Sequence, residues 1–143
     1  METPVYQPAP PMSPSDERTW AMLAHLSVLL NLVSGFLGVL AALLIYLILK
    51  DRSRYVAYHS LQAFIMQLIA WLGGGIVAGV AWAISSILST VLIGCLLMPI
   101  ALLFSLLPLA ALVYGVVGGI QCSQGQDFRY WLVGDWVRST LGA

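Results

Sequence analysis

The chain holds two histidines, His25 and His59, and each falls at the edge of a long apolar stretch. Tyr55, His59 and Gln62 are spaced four and three residues apart, so a helix presents all three on one face. If the first apolar block turns back on itself, His25 sits at a similar depth and becomes a partner for that face. A histidine within a membrane is a candidate proton relay or metal ligand. The simpler expectation is that both imidazoles hydrogen-bond a helix end or an interfacial water. His25, His59 and Gln62 form the candidate functional polar cluster.

Other chemistry finds little footing. Two histidines without a nearby Asp, Glu or Cys make a poor zinc site. Asp16, Glu17, Asp51, Asp127 and Asp135 all flank the apolar blocks, so no acid pair stands inside them for proteolysis or cation coupling. No G-x-S-x-G marks a nucleophilic serine. Cys95 and Cys122 lack metal-ligand spacing and are expected as free thiols. Cys122, near the headgroups, is open to palmitoylation, although an unmodified thiol is the expectation. The sequence therefore predicts no catalytic, cofactor-binding or metal-binding residues, and no enzyme. Six basic against six acidic residues leave no polybasic stripe for nucleic acid.

The elements that must position the polar cluster are dictated by solvent. The 143 residues are 60% hydrophobic and 8% charged, far from the makeup of a soluble domain. Residues 55–126 contain no Asp, Glu, Lys or Arg, and lipid is the solvent that tolerates such a stretch. The fold class is all-α, a multi-pass transmembrane helical bundle. Residues 1–14 read as a disordered proline-rich tail, residues 15–138 as the membrane helical domain, and 139–143 as a C-terminal tail. Pro8, Pro11 and Pro14 fit P-x-x-P spacing, which plain disorder explains more simply. The first residues have no basic signal-like segment, so targeting falls to the apolar segments.

Ser13 is suited to cap a helix that opens with Pro14 and carries Asp16 and Glu17 toward its dipole. The following apolar block, Trp20 to Leu49, would span about 45 Å as a straight helix, against a hydrocarbon core of about 30 Å. Asn31 to Gly35 is its softest point. The block is either one kinked helix or a short hairpin. Lys50, Arg52 and Arg54 are the densest basic cluster, and this loop is expected on the cytoplasmic side together with the C-terminus. The hairpin also puts Arg18 there and is favoured on that ground. Between Leu61 and Ile120 two long helices with a turn at Ser85 to Thr90 are expected rather than three spans. Pro99 and Pro108 are expected to kink the second of them. Gly125 can end that helix.

Gly75 and Gly79 form a G-x-x-x-G, as do Gly115 and Gly119, and these two faces are expected to pack together. Homodimerisation through one of them is the alternative. Trp20, Tyr46, Tyr55, Tyr58, Tyr130, Trp131 and Trp136 read as interfacial anchors.

Three stretches, Asp16 to Ser27, Tyr58 to Ala63 and Gly125 to Tyr130, together resemble the Tic20-like prokaryotic membrane family, a domain of unknown function. The resemblance covers about residues 15–133 and departs from the usual pattern at Val39 and Trp131, where proline is common. It implies distant similarity to the small membrane subunit of the chloroplast inner-envelope translocon, a bundle of about four membrane helices, and a prokaryotic plasma membrane. It transfers no activity. The expected function is that of an uncharacterised multi-pass membrane protein, a non-enzymatic scaffold or translocon-like subunit. The alternative is a small transporter or channel component using polar residues between helices. The expected partners are the lipid bilayer and a second copy or another membrane protein.

Overall fold

A computed structural model describes residues 9–142. Residues 1–8, and with them most of the tail and the Pro8 motif, lie outside that range. Among the described residues every regular element is helical.

Helix α1 spans Pro14–Leu26. The Ser13 hydroxyl accepts from the Asp16 amide at 3.2 Å, and Pro14 opens the helix where its missing N–H is not needed. A tighter 3-10 turn, Ser27–Leu30, leads into one further turn, α2, Asn31–Ser34. Gly35 then adopts φ +81°, a left-handed conformation that ends the helix and that an L side chain would resist. The chain reverses there, and α3, Leu37–Leu49, runs back along α1. The Ser27 hydroxyl donates to the Gly38 carbonyl at 2.9 Å, and Ala24 and Ala42 share one buried cluster with Ala63. At the open end the Ser53 hydroxyl donates to Glu17 at 2.6 Å. The first block is a hairpin, and the single kinked helix is excluded.

Helix α4, Arg54–Met66, begins at Ser53, whose hydroxyl accepts from the Val56 amide. It continues without a break through a π-helical stretch, Gln67–Gly73, into α5, Gly74–Leu88. A 3-10 turn at Ser89–Val91 and Leu92 at φ +64° reverse the chain into α6, Ile93–Ser123. Two helices thus account for the second apolar run, with the turn at the end of the serine cluster. Helix α6 carries Pro99 and Pro108 as one uninterrupted 31-residue element. Its end is set by Gly125 at φ +76°, with the Gly125 and Gln126 amides donating to Cys122 and Gln121 carbonyls. A loop leads to α7, Gly134–Thr140.

The two hairpins differ in reach. The Trp71 indole donates to the Gly35 carbonyl at 2.8 Å, which sets the tip of the α1–α3 hairpin beside the middle of the α4–α5 rod. Beyond that level α5 and the first half of α6 run on as a pair for roughly 25 Å. The stretches Arg54–Val91 and Ile93–Ser123 are each long and apolar enough to cross a membrane. Helix α3, with 13 residues, reaches only about 20 Å. All charged side chains of the described residues gather at the opposite end, where the hairpins open. There Arg54 donates to the Leu141 and Gly142 carbonyls, Tyr55 to the Gln126 carbonyl, and Arg138 pairs with Asp127.

The glycine faces do not pair as the spacing suggests. A Cβ built on Gly75 or Gly79 meets nothing within 4 Å, whereas one on Gly74 meets the Leu107 Cβ at 2.7 Å. The face of α5 toward α6 is carried by Gly74, Ala78 and Ser85, all buried. The G-x-x-x-G of α5 is one residue out of register with the contact, because a step of one residue turns a helix by about 100°. Gly115 and Gly119 do lie at a close contact, but with the end of α1 and the 3-10 turn after it: their built Cβ atoms meet Val28 at 2.6 Å and Leu26 at 2.8 Å. The aromatic residues divide as well. Trp131 and Trp136 are exposed, as befits interfacial rings, while Tyr58 and Tyr130 are buried in the bundle.

Candidate functional site

The site lies where α1, α4, the end of α6 and the loop after it meet, one to two turns inside the charged end. Small residues make this possible. Ala21, Ala24, Gly118 and Cys122 bring helix backbones close, and a Cβ at Gly118 would press on Phe128 at 2.7 Å and on His25 Nδ1 at 3.0 Å.

His25 and His59, 34 residues apart in sequence, meet with Nε2 of the first 3.2 Å from Nδ1 of the second. Both side chains are fully buried. His25 Nδ1 lies 3.1 Å from the Tyr130 hydroxyl. Burial pushes the Tyr130 phenol above its ordinary pKa, so it remains a neutral hydroxyl able to donate or accept. Gln62 is fixed by backbone on both sides: its Nε2 donates to the Phe128 carbonyl at 2.8 Å and its Oε1 accepts from the Tyr130 amide at 3.2 Å. The same Nε2 lies 3.0 Å from His59 Nδ1. The three residues expected as a polar cluster are thus brought together. Gln62 has a role the sequence did not suggest, since it holds the segment Phe128 to Tyr130 against the bundle.

The sequence missed Cys122. Its Sγ stands 3.3 Å from His59 Nδ1, fully buried, on a helix that spacing alone could not bring near α1 or α4. Tyr130 was missed as well, being assigned to the interface. Aromatic rings enclose the site: Tyr55 and Tyr58 flank His59 at centroid distances of 4.3 and 5.0 Å, and Phe128 packs edge-on to His25 at 5.3 Å.

A second polar network lies one to two turns deeper. Asn31 Nδ2 donates to Gln67 Oε1 at 3.0 Å, Gln67 Nε2 donates to the Ser27 hydroxyl at 3.0 Å, and Asn31 Oδ1 accepts from the Gly38 amide at 2.8 Å. The π-helical stretch begins at Gln67, and insertions of this kind in a helix recur at functional positions. Every member of this network has its partner within the network. The first site differs, because His59 Nε2 is buried with no partner.

A chain whose described elements are all helical, whose helices expose apolar side chains along most of their length and whose charged groups are confined to one end is an integral membrane protein. Its family is specific: the model of the magnetosome magnetite crystal formation protein family (MamF/MmsF) matches residues 16–137, and the chain belongs to that family. No curated protein and no solved structure matches it. The family assignment overturns the resemblance to the Tic20-like family, and the translocon-like role falls with it. The motifs that carried the resemblance lie within the matched span. His25, His59, Gln62, Phe128 and Tyr130 among them touch one another, so these short patterns record how one end of the bundle packs and do not by themselves fix a lineage.

Proposed function

We propose that the chain is a non-enzymatic membrane scaffold that acts in magnetite crystal formation. Its charged end lies in the headgroup layer on the cytoplasmic side, and its α5–α6 pair crosses the bilayer. The family supports the process. The observation that carries the architecture is the segregation of charge. Asp16, Glu17, Arg18, Lys50 to Arg54, and Asp127 to Arg138 share one end, whereas the turns at Gly35 and at Ser89–Leu92 carry none. Positive residues favour the cytoplasmic face, which supports that side for the start of α1 and for α7. Four helices enter the membrane in this scheme, but the α1–α3 hairpin, at about 20 Å, stops short of the far surface of a core about 30 Å thick. Lipid is the partner of the exposed apolar faces.

Two experiments test this. In a Cys95→Ser background, where the buried Cys122 is the remaining thiol, cysteines introduced one at a time at Ser13, Ser53 and Ser139 label from the cytoplasmic side and one at Ser89 from the other; labelling of Ser89 from the cytoplasmic side sinks the topology. Proteoliposomes carrying the full chain shift the size distribution of magnetite precipitated at their surface relative to empty vesicles, and identical distributions sink the role in crystal formation. The transporter alternative has weaker support. Among the described residues the buried polar side chains end at Asn31 and Gln67, and the pair beyond carries only Ser85.

A further inference from the structure

We propose that His25, His59 and Cys122 bind a single divalent cation of the late first transition row, of which Zn²⁺ and Co²⁺ are the type. The three side chains come from α1, α4 and α6, and their ligand atoms all lie within 4.8 Å of one another. A tetrahedral ion with metal–nitrogen bonds near 2.0–2.1 Å and a metal–sulfur bond near 2.3 Å holds its ligands about 3.4 Å (N···N) and about 3.6 Å (N···S) apart. His25 Nε2 and His59 Nδ1 stand at 3.2 Å, and His59 Nδ1 and Cys122 Sγ at 3.3 Å, each within a few tenths of an ångström of its value, while the third pair, His25 and Cys122, lies within 4.8 Å and closes toward about 3.6 Å when the ion is held by all three.

The hydrogen bonding of the site without a cation does not close. Gln62 Nε2, held by the Phe128 carbonyl, can only donate to His59 Nδ1, so the His59 proton sits on Nε2, where nothing accepts it. His25 Nε2 and the Cys122 thiol approach the same Nδ1 lone pair. One acceptor thus faces three groups while a buried N–H goes without. A cation takes the lone pair for which His25 Nε2 and the Cys122 thiol compete, and Gln62 Nε2 keeps the Phe128 carbonyl as its acceptor. His59 presents Nδ1, the tautomer Gln62 already selects. His25 presents Nε2 while Nδ1–H donates to the Tyr130 hydroxyl, the outer-shell arrangement typical of a ligating histidine. Cys122 binds as thiolate, releasing its proton to solvent, so one proton leaves for each cation bound. Two imidazoles and a thiolate select a borderline cation over Mg²⁺ or Ca²⁺, and three protein ligands leave the fourth position to water.

This site does not depend on the magnetite reading, and its test involves no crystal growth. The full chain, purified in mild detergent and stripped with chelator, is titrated with Co²⁺. One equivalent is expected to give the visible bands of tetrahedral cobalt together with a near-ultraviolet thiolate-to-cobalt band, both removed by competing Zn²⁺. Cys122→Ser is expected to abolish the thiolate band and weaken binding by at least about tenfold, Tyr130→Phe to weaken it about tenfold with the band kept, and Cys95→Ser to change nothing. Tetrahedral bands without the thiolate band in the unaltered chain, or a thiolate band that follows Cys95 instead of Cys122, overturns the proposal. If Cys122→Ser loses its helical circular dichroism, the unaltered chain and Cys95→Ser decide between them: a thiolate band present in both supports the site, and its absence from either overturns it.

Discussion

The two ends of this molecule hold helices together by different means. At the charged end α1, α4 and the loop after α6 are joined by side chains that hydrogen-bond across the interior: His25 to His59 and Tyr130, and Gln62 to Phe128 and Tyr130. In the projecting α5–α6 pair the interior is nearly featureless. Gly74, Ala78 and Ser85 lie against α6, and one polar link joins the two helices, from the Trp82 indole to the Ser105 hydroxyl at 3.0 Å. Lipid provides little hydrophobic drive between helices, so close backbone approach and hydrogen bonds must supply it. The pair uses the first and the bundle uses both. A region built on contact alone can form without specific chemistry, whereas polar groups enclosed where water is scarce must each find a partner. Among the described residues two such atoms lack one, the Tyr58 hydroxyl and His59 Nε2, and both lie at this end.

Both hairpins nevertheless turn by the same device, and the largest expected effects come from breaking it. Gly38 and Gly94 each begin the returning helix against a carbonyl of the outgoing one; a Cβ would stand 2.1 Å from the Ser27 carbonyl oxygen in the first and 2.0 Å from that of Ser85 in the second. Gly38→Ala and Gly94→Ala are each expected to destabilise by about 3 kcal/mol or more, since backbone atoms must yield. Denaturant unfolding in micelles, followed by circular dichroism, measures both. Equal losses would show that the two hairpins share one constraint; a loss only at Gly38 would show that the apolar pair can shift without penalty.

Gln62→Leu leaves the Phe128 carbonyl and the Tyr130 amide unpaired in the interior and is expected to cost about 2 kcal/mol. It should also free the loop after α6, read as faster amide exchange at residues 126–133. Unchanged exchange there would mean that aromatic packing alone holds the loop. Gln67→Leu, in the deeper network, is expected to cost less, about 0.6 kcal/mol, as buried polar links within membranes commonly do. A loss as large as that of Gln62→Leu would place both networks on one footing. An effect of similar size has the opposite sign. Gly79→Ala, on a helix face with no neighbour, is expected to stabilise by about 0.5–1 kcal/mol through helix propensity. A destabilisation instead would show that this face packs against a second copy.

Much of the fold was legible because local signals are strong in this chain. Ser13 with Pro14, Gly35 after Asn31, and Gly125 after a long apolar run mark helix boundaries by short-range rules, and the structure has boundaries at each. The polar cluster was legible in part, since Tyr55, His59 and Gln62 share a helix face by spacing. Cys122 was not, because its place beside His59 depends on the rotation of α6 about its own axis, which no local signal fixes. The packing face of α5 failed for the same reason: Gly75 and Gly79 satisfy a motif, but the face that meets α6 begins one residue earlier, at Gly74.

The sequence by itself determined that this protein is helical and belongs in lipid, because residues 55–126 contain no Asp, Glu, Lys or Arg and no aqueous surface can be made from them. It also marked the soft points, Asn31 to Gly35 and Ser85 to Thr90, without deciding whether the first of them kinks the helix or reverses the chain. Which side chains meet inside was decided only by the tertiary structure. A contact between elements far apart in the chain depends on helix rotation and register, and these are settled by the summed packing of all the helices.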